Sequence, residues 1–112
     1  MEWRINMIDL KKLLKIHDKV TSGARSLVEP KGHDYNGKTD DALFNLRVPK
    51  LIGICDDSVQ VCLILASNKL MRLSSLRNKD PAVKGETFSD SVEDSINYLI
   101  YSLAFYMEKK ND

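Results

Sequence analysis

The chain has 112 residues, 43% of them hydrophobic and 29% charged, which is the composition of a single soluble domain with its own core and excludes an intrinsically disordered or membrane-embedded chain. Lys and Arg number 17 against 16 Asp and Glu, and the resulting net charge of +1 offers no whole-molecule field for a nucleic acid polymer or an anionic membrane. Cys55 and Cys62 supply neither a disulfide framework nor a zinc pattern, and residues 1–12 hold no apolar run of signal-peptide length, so a reducing, cytoplasmic setting is expected.

In chain order, Leu10, Leu13, Leu14, Val20, Ala24, Leu27 and Val28 follow one helix face and predict a first helix over residues 9–28. Pro30 disfavours helix at Glu29, and Gly32, Asn36 and Gly37 follow, so residues 30–39 read as a polar loop. Thr39 or Asp40 is placed to cap a second helix carrying Ala42, Leu43, Leu46, Leu51, Ile52 and Ile54, which Pro49 kinks or splits in two. A third helix opens from a cap within residues 56–58 and carries Val59, Cys62, Leu63, Ala66, Leu70 and Leu73 to about Arg77.

Residues 78–86, with Asp80-Pro81 and Gly85, read as another loop. Thr87 followed three residues later by Asp90 then opens the last helix. Its broad apolar face, Val92, Ile96, Leu99, Ile100, Leu103, Phe105, Tyr106 and Met107, predicts the most buried helix of the set, with a fraying polar tail. No segment alternates with a period of two, so the expected fold is all-α: one domain over residues 1–112, a four-helix unit completed by association into a homo-oligomer, a dimer in the first instance. Tyr101, Phe105 and Tyr106 are the expected seam, since aromatic residues are enriched in interface cores.

Glycine-rich phosphate loops, GxSxG and HExxH are absent. His17 is placed on the charged side of the first helix and reads as solvated, whereas Lys31, His33, Asp34 and Tyr35 crowd hydrogen-bonding and stacking groups into a polar loop of the kind that binds ligands. Lys69 and Arg72, three apart, share a helix face and suit phosphate, Arg as a planar fork of donors and Lys as a point charge. An ion pair to Asp90 or Asp94 is the alternative use of that face. Asp90, Glu93 and Asp94 open the last helix, where acids complement the helix dipole, and the Asp90/Asp94 face continues to Asn97 or Tyr98.

The string Lys31-x-x-Asp34-Tyr35, then Asn45, then Lys69-x-x-Arg72-Leu73, then Asp90-Ser-Val-Glu-Asp94 with Asn97-Tyr98, resembles a phage-borne branch of the all-α MazG-like nucleotide pyrophosphohydrolases over about residues 31–105. The resemblance implies a MazG-like bundle in the host cytoplasm and a nucleotide site drawn from Lys31, His33, Asp34, Tyr35, Asn45, Lys69, Arg72, Asp90, Asp94 and Tyr98. Catalytic members of that superfamily pair an ExxE on one helix with an ExxD on the next to hold Mg2+ against a triphosphate. Here residues 58–70 contain no acid, leaving Asp90 and Asp94 as the candidate metal contacts.

The expectation is therefore a binder without catalytic residues or cofactor, taking up a nucleotide or nucleotide-derived signal, linear or cyclic, as a phage protein that sequesters a host defence messenger would. Two alternatives stand beside it. One is a Mg2+-dependent nucleoside triphosphate pyrophosphohydrolase working through Asp90 and Asp94, and the other is a helical protein-interaction module.

Overall fold

The computed structural model describes residues 7–34, 41–79 and 87–111, and every regular element among them is α-helical: α1 (Leu10–Asp34), α2 (Phe44–Leu51), α3 (Ser58–Leu76) and α4 (Phe88–Asn111). α1, α3 and α4 each start at a polar side chain that satisfies a backbone N–H lacking a partner in the helix. The Asp9 carboxylate accepts from the Lys12 N–H at 2.8 Å. Asp41 accepts from the Leu43 N–H at 3.0 Å just ahead of α2, while Thr39 and Asp40, the expected caps, lie outside the described residues. At α3 the Asp57 carboxylate accepts from the Gln60 N–H at 2.8 Å, and the Gln60 side chain returns an acceptor to the Asp56 N–H at 2.8 Å. At α4 the exchange is mutual: the Thr87 hydroxyl accepts from the Asp90 N–H at 3.1 Å and the Asp90 carboxylate accepts from the Thr87 N–H at 2.9 Å.

Two helix ends depart from the sequence reading. α1 does not stop at Val28 but continues through Pro30 to Asp34, so Lys31, His33 and Asp34 belong to its last turns rather than to a loop. Proline's fixed φ is already helical, and its cost in a helix is one lost hydrogen bond and a ring clash, which bends a helix without obliging it to end. α2 keeps Pro49 inside its last turn and ends at Leu51 instead of running on to Ile54. Gly53 is the cause: at φ +81° it donates its N–H to the Lys50 carbonyl at 3.1 Å while Ile54 donates to the Pro49 carbonyl at 2.8 Å, a Schellman closure that leaves Ile52 and Ile54 beyond the helix and exposed.

The helices pack as an open row, α1 on α4, α4 on α3 and α3 on α2, with α3 and α4 as the principal pair. Phe105 apart, the buried positions of that pair are mostly small. Val61, Cys62 and Ala66 line α3, and Ser91 and Ser95 line α4, with the Ser95 hydroxyl donating to the Ser91 carbonyl at 2.8 Å. α1 meets α4 where Ala24 is buried and its carbonyl accepts from the Asn97 side-chain amide at 3.0 Å. Gly23 makes room there, since a Cβ built on it would stand 2.4 Å from a carboxylate oxygen of Glu93.

An open row covers less than a closed bundle. The radius of gyration is 17.0 Å, against about 13 Å for a compact domain of this length. Consequently α4 is not uniformly buried: Leu99, Leu103, Tyr106 and Met107 are about half exposed, whereas Phe105 is 5% exposed and belongs to the core rather than to a seam. Tyr101 is half-buried. Glu108, near the end of α4, is bound to Arg47 of α2.

Asn97→Ala is expected to lower stability by about 0.5–1.5 kcal/mol, the net worth of the lost hydrogen bond, since the Ala24 carbonyl keeps its place in the helical ladder of α1. Ala24→Leu should cost ~1–3 kcal/mol by overpacking the same contact. Urea titrations followed by far-UV circular dichroism measure both, with an unchanged m-value as the sign that only the native contact is affected.

Candidate functional site

Two clusters of charged groups flank the α3–α4 pair, one at each end. The first contains the residues singled out from the sequence. Lys69 of α3 places its Nζ 3.0 Å from Oδ2 of Asp94 on α4, with the two side chains 26% and 32% exposed. Arg72 lies three residues along α3 from Lys69, on the same side and exposed. Tyr98 lies one turn beyond Asp94, and its ring meets that of Tyr101 edge to face with centroids 6.3 Å apart. Burial, together with the nearby Tyr98, Asp94 and Cys62, raises the Tyr101 hydroxyl above its ordinary value and holds it neutral.

Asp90 lies one turn before Asp94, but its carboxylate is folded back onto Thr87, whose backbone N–H and hydroxyl hold it below the usual carboxylate range. Both uses named for these acids are therefore realised at once: Asp90 caps the helix and Asp94 pairs with the α3 lysine. α3 supplies no acid opposite them, and among the described residues no three of His, Cys, Asp and Glu are grouped to hold a metal ion. The described donors do not fit the Mg2+ site that a pyrophosphohydrolase requires.

Asn45 is not part of this end. It lies on α2 two residues before Arg47, which is bound to Glu108, and Glu108 is 14 residues past Asp94, or about 21 Å along α4. The side chains of Lys31, His33 and Asp34, and the whole of Tyr35, lie outside the described residues. His17 is exposed, as expected, although its helical position puts it on the stripe of Leu10, Leu13 and Leu14 rather than among the lysines.

The second cluster escaped the sequence reading. Arg47 of α2 binds the Glu108 carboxylate through two nitrogens, at 2.6 and 2.9 Å, pairs with Asp41 through its Nε, and lies over the Phe105 ring with its Cζ 5.0 Å from the centroid. The guanidinium holds both carboxyls below their ordinary values, and they in turn raise Arg47 further. Beside it a cleft of about 370 Å3 opens between α2, the start of α3 and the end of α4, bordered by Lys50, Asp57, Phe105 and Lys109. Lys109 stands 3.8 Å from Asp57. Only opposite charges far apart in sequence signalled this contact, and nothing local selects Glu108 as the partner of Arg47.

No protein-family model matches the chain, and comparison with curated proteins and with solved structures returns no match.

Two measurements check this geometry. Asp41 and Glu108 have native pKa values below their ordinary 3.8 and 4.5, so the stability they add is present above those values and is lost as pH falls through the lower native ones. Acid unfolding curves of wild type should accordingly fall more steeply in this range than those of Arg47→Ala. Burial pushes the Cys62 thiol up to about 11, whereas Cys55 is only half-buried. Ellman's reagent at neutral pH should thus titrate Cys55 in the folded protein and Cys62 only after unfolding.

Proposed function

We propose that the chain binds, without cleaving it, the phosphate of a nucleotide or nucleotide-derived ligand, linear or cyclic, at the Lys69/Asp94 end of the α3–α4 pair. The observation that carries this reading is the Lys69–Asp94 contact, which sets the Lys69/Arg72 face of α3 against the acidic opening of α4. A partly exposed pair of this kind holds by about 1 kcal/mol or less, so an incoming phosphate exchanges for Asp94 at Lys69 at little cost. Arg72 then supplies the planar donor fork, Asp94 turns its acceptor to a sugar hydroxyl or base amine, and Tyr98 offers a ring face for stacking. Retention without cleavage rests on the donor set, because the acids that would hold a divalent ion opposite Asp94 are missing from α3. The resemblance to phage-borne MazG-like proteins is consistent with this use, in which a stripped enzyme scaffold withholds a host defence messenger. Helical interaction, the second reading, is favoured by a separate observation, the uncovered apolar faces of α1 and α4.

The test is incubation of the full chain with a panel of nucleoside triphosphates and cyclic dinucleotides with Mg2+, followed by chromatography of free and heat-released ligand. Intact released ligand, with binding indifferent to excess EDTA, is the expected result. Arg72→Ala should weaken that binding about tenfold or more, as loss of a charge-assisted bond of ~1.5–3 kcal/mol implies. Pyrophosphate release that Asp94→Asn abolishes would make the chain a hydrolase, and no retained ligand at all would leave the α3–α4 end a purely structural ion pair.

A further inference from the structure

The apolar stripe of α1 is longer than the surface it covers. Leu10, Leu13, His17, Val20, Ala24 and Leu27 fall at alternating spacings of three and four, the a/d seam of a packed helix. From Val20 onward the seam is wholly or partly buried, and Ala24 is fixed against α4. Before Val20 every described residue is exposed, including Leu10 at 70% and Leu13 at 54%. Half of one continuous packing face therefore projects beyond the fold.

α4 has a complementary vacancy. One of its sides meets α3 where Asp94 pairs with Lys69, and another meets α1 through Asn97. A third side runs through Val92, Ile96, Leu99, Leu103 and Tyr106, at spacings of four and three, and its last three members are about half exposed. No charged residue occurs from Ser95 to Met107. The exposed side of a helix with 13 successive uncharged residues presents a surface suited to burial rather than to solvent.

We propose that two copies of this chain associate by exchange, the projecting N-terminal half of α1 from each lying along the open α4 stripe of the other. Both surfaces belong to one chain, so a two-fold arrangement covers both at once, which pairing α1 with α1 would not do. Leu10, Leu13, Leu14, Leu99, Leu103 and Met107 are each more than half exposed, and at roughly 100 Å2 apiece they give about 600 Å2 of apolar surface per copy. That exceeds the roughly 450–520 Å2 apolar share of a standard interface burying ~800 Å2 per partner. A lipid surface is the poorer occupant of the α4 stripe, because its one neighbouring cation among the described residues, Lys109 beside Tyr106, stands at the end of the stripe and faces Asp57. His17, mid-seam, becomes the one polar layer, a position at which a polar side chain weakens association while fixing register.

The experiment is sedimentation of the full chain over a micromolar concentration series, with Leu13→Asp, Leu103→Asp, an equimolar mixture of the two, and His17→Leu. Wild type should sediment as a dimer, and each aspartate variant as a monomer with its helical circular dichroism retained. The mixture should regain dimer, because a mixed pair keeps one intact α1-on-α4 contact, and His17→Leu should tighten dissociation about tenfold or more. A monomeric wild type overturns the proposal, whether or not it pellets with anionic vesicles. So does a mixture of folded variants that stays monomeric, and so does a Leu103→Asp variant that remains a dimer, which would instead mean α1-on-α1 pairing. Should the aspartate variants unfold, His17→Leu decides alone, and unchanged dissociation there refutes the exchange. None of these readouts involves a nucleotide, so failure here and failure of ligand binding are separable.

Discussion

Everything in this molecule hangs on the contact between α3 and α4, and its buried positions, Phe105 apart, are mostly small side chains. Cys62, Ala66, Ser91 and Ser95 let the two helices approach closely, yet they contribute little apolar area. Ion pairs stand at the two ends of the helix pair, Lys69 of α3 to Asp94 of α4 at one and Arg47 of α2 to Glu108 of α4 at the other. The other two helices are attached to this pair, α1 to α4 through Asn97, and α2 alongside α3 with Arg47 tying it to the end of α4. Buried polar groups are tolerable here because they are satisfied: among the described residues no buried side-chain nitrogen or oxygen lacks a partner.

Where the chemistry of an element is local, the sequence discloses it. Asp57 and Thr87-Asp90 mark the starts of α3 and α4 because a cap involves groups within three residues of one another. The two misread helix ends were set by backbone conformations that residue type permits without dictating: Pro30 inside α1, and Gly53 in a left-handed turn after α2. Burial was the harder quantity. Periodicity finds an apolar face but not what covers it, so the sequence placed the core at Leu99 and Leu103, whereas the structure buries Ser91 and Ser95. Serines are selected there by the room between two axes, a property that hydropathy does not encode.

The same distinction separates the two charged clusters. Lys69 and Asp94 were legible as partners because each falls on a helical repeat of like residues, basic on α3 and acidic on α4. Arg47, Asp41 and Glu108 have no such repeat, and Glu108 read as part of a loose tail. Only the fold, by bringing α2 to the far end of α4, makes it a partner. Asn45 was misplaced for the same reason, since its spacing fits a motif while its helix lies at the other end.

The projecting half of α1 has a consequence for cooperativity. A helical segment of about ten residues is marginal in water without tertiary contacts, because nucleation is costly and each added residue gains little. Residues 10–19 are helical yet exposed throughout, so their order is borrowed from the docked half of the same helix, which serves as a standing nucleus. Amide exchange in this stretch should then follow helix–coil fraying, not global unfolding. Any partner laid along it would order the stretch as it binds, making helix content rise with protein concentration and coupling the last turns of folding to mass action.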